Sequence, residues 1–515
     1  TPAVAVNTVP QELTYVINYE ADKLDPGVTS ETYAGPIITN AFDGLVQLNQ
    51  FGEPQASMAE KWEIKNDGKL YIFHLRKGLK WSNGDELTAN DFVYSWKRVL
   101  TQKTAASYPA LFYSIKGAEE FYKGTLGWEQ VGIKAKDNST LEVELSNPLP
   151  YFLQLAGFWA FYPVHQATVE AHTEDWHRKA ETYISCGPFR VTALNFGDSV
   201  VFEKNPYYWD ADSVNIQKLT MRLIPEESTA LMAMESKDVD GIYSVPASEI
   251  PRLRLASKEL YITPKLSTSY YLLNNKVKPL DDERVRKAFN LAIDRQKICD
   301  EVLQGGQKPA FAIVPYGLTF NGKDFREEGG SYGLKAAADV EQARKLLEEA
   351  GYPEGKGFPK LTMKYWTSPS EKKVVETLQQ MWKENLNVDI KIENSEFKVF
   401  FGEVQNLDYD IAALGWSADY PHPMTFLEIF GTTSPNNNTN WGSKEYDEFI
   451  RQANEKTDVS LSVNAMHSAE DILMKGYHIL PIYHRTNVYM ISESVKGWSQ
   501  DASGFIIFRN AKKIK

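Results

Sequence analysis

The chain has 515 residues, of which 43% are apolar and 24% are charged, and its 32 glycines and 25 prolines are close to average usage. This composition excludes wholesale disorder, a collagen-like repeat and a small disulfide scaffold. At roughly 150 residues per domain, the length predicts about three domains. The net charge of −12 comes with no basic block, so nucleic acid is not expected to be a partner.

No part of the chain is apolar enough to predict a membrane-spanning helix. Such a helix needs about eighteen or more consecutive apolar residues, and the most apolar stretch, Tyr151 to Val164, is interrupted by Gln154, Gly157 and Pro163. The chain opens at Thr1 with the polar segment TPAVAVNTVPQE. An opening without Met or a signal-like segment is typical of a processed or truncated chain, and it hints at export.

Two cysteines, Cys186 and Cys299, occur in the chain. They share no short spacing with each other or with a histidine, so neither a metal knuckle nor a redox pair is predicted. A long-range disulfide is left open by the sequence. Two unpaired buried thiols are favoured, because free cysteine is commonly buried.

The N-terminal part of the chain predicts a strand and a helix, followed by β-hairpins. Residues 13–20 alternate as a strand, and residues 36–42 have the pattern of a helix. Two alternating runs, WEIK and KLYIFHLR, flank the turn Asn66-Asp67-Gly68, and a Thr88-x-x-Asp91 start signal opens the next helix. The run TLEVELS adds another strand. This pattern indicates a small hairpin-rich insertion.

The rest of the chain alternates strands with longer helices. The runs FRVTAL, SVVFEK, KLTMRLI and VDGIYSV predict strands, with a helix near residues 228–237. The strongest helices are predicted over Glu283 to Ile298, in AADVEQARKLLEEA and in EKKVVETLQQMWKENL, separated by strands in LTMKYW, NVDIKIEN and YDIAALGW. This alternation predicts an α/β fold with a parallel or mixed sheet covered by helices.

The sequence carries no recognised catalytic signature. It has no G-x-S-x-G elbow, no Walker A loop, no G-x-G-x-x-G and no H-E-x-x-H. The histidines have no regular ligand spacing, so neither a metal nor another cofactor is predicted. The pairs Asp281-Asp282 and Glu348-Glu349 could supply a hydrolase dyad, but each adjoins a cationic helix. Helix capping or a solvated face is the favoured interpretation.

Several long motifs, spread over nearly the whole chain, carry a resemblance to a known family. They are FDGL (Phe42 to Leu45), MAEKW with FHLRKGLKWSNGDELTANDFVYSWKR, CGPF with NPYYWD, DERVRKAFNLAIDR, LLEEAGYP and GWSADYPHPMTFLEIF (Gly415 to Phe430). In content and order they resemble the extracytoplasmic oligopeptide-binding proteins of ABC transporters, within the peptide/nickel solute-binding protein family.

The resemblance implies a periplasmic-binding-protein-like clamp of two halves with a third, inserted α+β lobe. Lobe I would be discontinuous, at residues 1–44, 185–267 and 489–515. Lobe II, the hairpin-rich insertion, would span residues 45–184, and lobe III residues 268–488. In this family the ligand lies between the halves, which close by a hinge motion. The main chain of the peptide binds like an added strand.

Asp419 is the leading site candidate. The resemblance implies that this aspartate pairs with the α-ammonium of the peptide, a charge that would be costly to bury alone. The structural alternative is a turn residue before Tyr420-Pro421. The resemblance further implies that the backbone of Gly415 and Ser417 pairs with the peptide and that Trp416 walls a side-chain pocket.

Further candidates come from the same resemblance and compete with ordinary packing roles. The tyrosines that resemble ligand-facing positions are Tyr108, Tyr270 and Tyr271. The weaker pocket candidates are Phe397, Trp366, Tyr483, His484 and Arg485.

The sequence also departs from the family pattern. Some members place an arginine before the Gly-Trp motif, where it reaches the peptide carboxylate, whereas this chain has Ala412-Ala413-Leu414. Lys308 or Arg485 is therefore expected to meet the peptide C-terminus. Relatives with cysteine at the position of Ser417 form a disulfide there, and that bond is absent here.

The resulting hypothesis is a monomeric extracytoplasmic receptor that binds short peptides and delivers them to a membrane-embedded ABC permease, without catalysis. It would be periplasmic, or held at the cell surface by an N-terminal lipid anchor. The alternatives are the same clamp specialised for a peptide signal, a cell-wall peptide or a non-peptide solute, and a secreted hydrolase.

Overall fold

A computed structural model describes residues 9–320, 322–456 and 458–515. Residues 1–8 of the opening segment, on which the interpretation of a processed start partly rests, lie outside the described residues. The chain forms two compact units: unit 1 comprises the residues up to Tyr261 together with Val488–Lys515, and unit 2 is Ile262–Asn487. Among the described residues, no helix is both long and apolar enough to cross a membrane.

Unit 1 is built from short strands and short helices. Its strands before the first crossing to unit 2 are β1 (Glu12–Ile17), β2 (Val46–Leu48), β3 (Pro54–Ala56), β4 (Ala59–Lys65), β5 (Leu70–Leu75), β6 (Ile133–Asp137), β7 (Thr140–Glu144), β8 (Phe189–Asn195), β9 (Ser199–Lys204), β10 (Lys218–Leu223) and β11 (Gly241–Ile242). Its helices are α1 (Gly35–Ala41), α2 (Ala89–Val99), α3 (Ala118–Tyr122), α4 (Phe152–Ala156), α5 (Gln166–His172), α6 (Glu227–Glu235) and α7 (Ile250–Ala256).

Two sheets organise unit 1. The mixed sheet has the order β11-β1-β10-β9-β8, in which β1 is parallel to β10 and β11 while β9 is antiparallel to β10 and β8. A separate antiparallel sheet, β4-β5-β7-β6, contains the predicted hairpins. Thr88 caps α2 in a capping box with Asp91, as the sequence signal predicts. This second sheet lies within residues 45–184, and the division of unit 1 into lobes stays a prediction.

Unit 2 contains the longer helices. The strand β12 (Leu260–Leu273) carries the chain into this unit. The following strands are β13 (Lys308–Pro309), β14 (Thr319–Phe320), β15 (Lys323–Asp324), β16 (Leu361–Trp366), β17 (Ile390–Ser395), β18 (Ile411–Ser417) and β19 (Ile479–Ile491), and β19 returns the chain to unit 1. The helices are α8 (Glu283–Leu291), α9 (Arg295–Lys297) with a π-helical turn at Ile298–Leu303, α10 (Phe325–Glu328), α11 (Val340–Glu349), α12 (Pro369–Leu386), α13 (Phe397–Gln405), α14 (Met424–Leu427), α15 (Lys444–Glu455) and α16 (Val459–Lys475).

Four two-residue strands of unit 1 end the chain: β20 (Val495–Lys496), β21 (Ser499–Gln500), β22 (Ile506–Ile507) and β23 (Lys512–Lys513).

The sheet of unit 2 has the strand order β17-β16-β18-β12-β19. Here β16 is parallel to β17 and β18, whereas β18 is antiparallel to β12. The mixed sheet and its covering helices agree with the α/β prediction. The apolar positions of α12 face this core, and Trp382 on that helix is fully buried and donates its indole N–H to the carbonyl of Phe289 at 3.0 Å.

One predicted helix is wrong in its extent. The pattern predicts a single helix from Glu283 to Ile298, but α8 ends at Leu291 and a new turn begins at Arg295. Asp294 is extended and its carboxylate accepts a hydrogen bond from the N–H of Lys297. The buried guanidinium of Arg295 donates to the carbonyl of Pro481 at 2.8 Å. A tertiary hydrogen bond and a local cap thus override the helical periodicity.

The structure shows a cap at one acidic pair, a solvated face at the other, and two free cysteines. Glu348 and Glu349 are exposed at the end of α11. Asp282 caps the start of α8 by accepting a hydrogen bond from the N–H of Arg284. Cys186 and Cys299 are both free and buried, so the interpretation of two unpaired thiols is confirmed.

Candidate functional site

The strand β18 changes character along its length. Its first three residues, Ile411 to Ala413, are buried, whereas the residues from Leu414 onward are partly or fully exposed. β16 pairs with β18 only at Met363↔Ile411 and Lys364↔Ala412, although β16 itself runs on to Trp366. In the part of unit 2 that the structure describes, the C-terminal half of β18 therefore has a strand neighbour on one side only, which is β12.

Hydrogen bonds at the two ends of the β12–β18 ladder determine which backbone groups lie at this free edge. The N–H of Ala418 donates to the carbonyl of Leu266 at 2.8 Å, and the N–H of Asn274 donates to the carbonyl of Asp410 at 3.0 Å. In an antiparallel pair, alternate residues direct both polar groups to the partner strand. Even-numbered residues of β18 therefore face β12. The N–H and C=O of Gly415 and Ser417 face the free edge.

Asp419 follows this edge by two residues. Its side chain is partly buried, and burial raises the pKa of its carboxyl group to about 6. Within the described part of unit 2, its carboxylate has no cationic partner. Its backbone N–H donates to the hydroxyl of Thr425 at 3.2 Å, which fixes the turn. Neighbouring Glu428 also has a raised pKa, and its carboxylate accepts a hydrogen bond from Tyr420 at 2.8 Å.

Trp416 stands between Gly415 and Ser417 in β18, three residues before Asp419. Its indole N–H donates to the same hydroxyl of Thr425 at 3.4 Å, so one buried threonine orients both Trp416 and Asp419. Sequence reasoning missed Thr425. It lies on the short helix α14, six residues after Asp419. Although it stands inside the GWSADYPHPMTFLEIF motif, nothing in the sequence distinguishes it from the neighbouring helix residues.

Ser417 occupies the position at which some relatives carry a disulfide. Its hydroxyl donates to the hydroxyl of Ser267 at 2.9 Å, and the two residues are paired directly across β18 and β12. In this chain a hydrogen bond between two serines therefore joins β18 and β12 at the position where some relatives have a disulfide.

The two adjacent tyrosines of β12 are buried. Tyr270 packs edge-on against Phe430 with ring centroids 6.0 Å apart, and Tyr271 donates its hydroxyl to the buried carboxylate of Glu371. Burial raises the pKa of Glu371, while Tyr271 and Arg485 oppose that increase. Sequence reasoning missed Glu371, because its position in the first turn of α12 indicates only a helix start.

Four other candidates lie together on β13 and β19. Lys308 is paired with His484, and Pro309 is paired with Tyr483. His484 is buried and shares a hydrogen bond at 2.8 Å between its Nδ1 and the hydroxyl of Thr268, which lies opposite Trp416 in the ladder. Arg485 lies beside Gly415, since a Cβ atom at Gly415 would be only 2.7 Å from Nη2 of Arg485.

Trp366, the last residue of β16, and Phe397, the first residue of α13, belong to a separate aromatic group. The ring of Trp366 lies 6.3 Å from Phe397 and 5.9 Å from Phe400, and Phe397 stacks on Phe401 at 5.9 Å. Phe397 is 55% exposed, so this aromatic group presents an apolar surface to solvent.

Tyr108 is the one candidate in unit 1. It precedes a 3-10 turn at Pro109–Phe112 and packs edge-on against Phe158 at 5.3 Å. The structure therefore brings the candidates on β12, β13 and β19 close to β18, whereas Trp366 and Phe397 form their own group. Tyr108 remains a prediction from the resemblance.

Comparison with known proteins identifies the family. The model of the bacterial extracellular solute-binding proteins, family 5 middle region, matches residues 53–438. The chain is 35% identical to the oligopeptide-binding protein OppA of Bacillus subtilis, over 96% of this chain and 91% of that protein.

Solved structures agree with this match. An oligopeptide-binding protein of Borrelia burgdorferi, OppAIV, has a TM-score of 0.80 at 32% identity and covers 98% of this chain and 100% of its own. Haemophilus influenzae OppA in complex with RPPGFSPFR has a TM-score of 0.77 at 32% identity, over 98% and 99% of the two chains. The predicted α/β fold of the periplasmic-binding-protein kind is confirmed. The chain belongs to the bacterial extracellular solute-binding proteins of family 5.

Proposed function

We propose that this protein is an extracytoplasmic receptor that captures short peptides by strand addition and delivers them to an ABC permease. One observation carries the proposal: Asp419, a partly buried carboxylate with no cationic partner among the described residues of unit 2, follows the free edge of β18. An extended peptide has the matching polarity, since it presents backbone N–H and C=O groups along its length and an ammonium group at its start.

The free edge determines how such a peptide would lie. Ser417 and Gly415 each offer both polar groups to an added strand, and Asp419 lies beyond Ser417. A peptide running antiparallel to β18 would therefore place residue 1 opposite Ser417 and residue 3 opposite Gly415. Its α-ammonium would then lie at the Asp419 end, where the carboxylate compensates for the loss of water.

The family supports a role in binding rather than catalysis. The relatives compared above are named for oligopeptide binding, and one solved relative holds the peptide RPPGFSPFR. No group of three His, Cys, Asp or Glu side chains is placed to hold a metal ion among the described residues. We propose a monomer that performs no chemistry on its ligand.

The test is a calorimetric titration of four combinations on protein stripped of endogenous ligand. Wild type and Asp419→Asn are each titrated with a free-amine tetrapeptide and with its N-acetylated form. Removing one partner of a buried charge pair costs about 2 to 5 kcal/mol, so Asp419→Asn should weaken free-amine binding about thirtyfold or more. Acetylation should weaken wild type similarly and the variant much less.

A matched control is Asp408→Asn, which neutralises an aspartate of unit 2 whose side chain is 76% exposed. It should leave both affinities unchanged. Equal binding of acetylated and free-amine peptides by wild type would make Asp419 a structural turn residue, and peptide capture through the α-ammonium would be wrong.

A further inference from the structure

A cavity of about 110 Å³ in unit 2 brings three cations together. Its lining includes Lys265, Lys308 and Arg485 together with Thr263, Tyr316 and His484. The ammonium group of Lys308 lies 4.3 Å from the centre of the Tyr316 ring. Burial and the charge of Arg485 lower the pKa of Lys265. Lys265, Lys308 and Arg485 come from β12, β13 and β19. Tertiary structure rather than a sequence motif therefore brings the three cations together.

Among the described residues of unit 2, the three cations of this cavity have no ion-pair partner. In the part of unit 2 that the structure describes, no carboxylate lies within ion-pair distance of Lys265, Lys308 or Arg485. Glu371 acts on Arg485 from a greater distance, and its own carboxylate is engaged by Tyr271. Lys265 and Arg485 are half-buried, whereas Lys308 is exposed. Holding two like charges partly removed from water is costly unless an anion joins them.

Three buried polar atoms at the cavity also have no hydrogen-bond partner among the residues that the structure describes. They are Nε of Arg485, Nε2 of His484 and the hydroxyl of Thr263. His484 is only 4% exposed, and its other ring nitrogen already bonds Thr268. Such atoms are normally satisfied. Nε of Arg485 and the hydroxyl of Thr263 can donate to a ligand carboxylate, and Nε2 of His484 can do so in the tautomer whose Nδ1 accepts from Thr268.

Arg485 connects this cavity with the free edge of β18. Its guanidinium occupies the space that a side chain at Gly415 would need. Residues directly opposite each other on neighbouring strands direct their side chains to the same face. The peptide residue opposite Gly415 would therefore point its side chain towards Arg485. In the register given above, that is the third residue of the peptide.

We propose that Arg485, with Lys265 and Lys308, forms a subsite that selects peptides with an acidic third residue. This inference rests on the proposed function, because it uses the register of the added strand. The ligand group is a carboxylate, and it has two possible sources in a short peptide: the side chain of residue 3 and the α-carboxylate of a tripeptide. The inference assigns it to the side chain.

The experiment uses three pentapeptides with amidated C-termini and free N-termini: AAEAA, AAQAA and AEAAA. Wild type should bind AAEAA about tenfold more tightly than AAQAA, as expected for one charge-assisted hydrogen bond. AEAAA should bind like AAQAA. In Arg485→Gln the ratio between AAEAA and AAQAA should fall to near one, and Arg485→Lys should restore part of it.

Arg451→Gln is the matched control, because Arg451 is an exposed arginine of the same unit that pairs with Glu448 and Glu455 on α15. It should keep the wild-type ratio. Tight but equal binding of all three peptides would overturn the subsite while leaving the receptor function intact. The tripeptide AAQ is also titrated as its free acid and as its amide, to test the α-carboxylate as the ligand group. A preference for the free acid, with no preference for AAEAA, would also overturn the subsite. Binding of none of the peptides would instead contradict the proposed function.

Discussion

Two aspartates, one in each unit, occupy opposite electrostatic environments. In unit 1 the carboxylate of Asp43 is 1% exposed and accepts hydrogen bonds from Tyr208 at 2.9 Å, Trp209 at 3.1 Å and Gln47 at 2.7 Å. The guanidinium of Arg509 lies 3.6 Å from it. In unit 2 the carboxylate of Asp419 is also partly removed from water, but it has no such partners among the described residues there.

We propose that this difference separates a structural charge, Asp43, from a ligand-binding one, Asp419. The Asp43 network satisfies nearly every acceptor position of its carboxylate, so it joins the FDGL and NPYYWD segments into one core. Asp419 bears an uncompensated desolvation cost, which a folded protein retains when a ligand supplies the missing partner. Both residues lie in motifs that carry the family resemblance, and only their surroundings distinguish them.

Asp43→Asn should have the largest effect on stability. The substitution leaves the half-buried Arg509 without its nearest counter-charge, and breaking a buried pair costs about 3 to 5 kcal/mol. Urea unfolding followed by tryptophan fluorescence measures this loss. The protein that remains folded should bind peptide with wild-type affinity. A loss of affinity without a loss of stability would instead make Asp43 a ligand-binding residue and contradict its structural role.

Asp419→Asn should have the opposite effect on stability. The folded-state pKa of about 6 exceeds the ordinary value of 3.8, so the native state binds more protons than the unfolded state between those values. Wild-type stability therefore falls as pH rises through that window. At pH 7 the variant should be more stable by about 1 to 3 kcal/mol when ligand-free.

This gain should disappear below about pH 4, where the carboxyl group is protonated in both states. Melting temperatures of ligand-free wild type and variant at pH 7 and pH 3.5 measure the gain in stability and its loss in acid. A variant that is less stable than wild type at pH 7 would show that Asp419 is a satisfied structural residue like Asp43.

The pH dependence of binding is the smallest expected effect. Only the ionised carboxylate of Asp419 pairs with an ammonium group, so affinity for free-amine peptides should fall below pH 6, by about tenfold at pH 5. His422, whose pKa burial lowers to about 3, stays neutral over this window. Calorimetry from pH 5 to pH 8 measures the change.

Glu428 also titrates near Asp419, and its raised pKa makes it the competing source of a pH effect. Glu428→Gln should keep the dependence on pH, and Asp419→Asn should abolish it. If the assignment were reversed, the affinity of Glu428→Gln would become independent of pH.

Much of the local structure follows from the sequence. Periodicity and turn residues predict the hairpin strands β4 and β5, the capped helix α2 and the alternating elements of unit 2, because these signals depend on near neighbours. The helix predicted over Glu283 to Ile298 fails at Asp294, where the buried Arg295 bonds to a carbonyl nearly two hundred residues away. No local pattern contains that contact.

The candidate site likewise has features that the sequence predicts and features that depend on long-range contacts. The sequence by itself determined the family through ordered motifs, and with it Asp419 and the Gly-Trp-Ser segment of β18. Only the tertiary structure decided that β16 leaves the edge of Gly415 and Ser417 uncovered, that Thr425 orients the turn, and that Arg485 fills the space beside Gly415. Strand pairing and the convergence of charges are long-range properties, since they depend on which distant segments meet across a sheet.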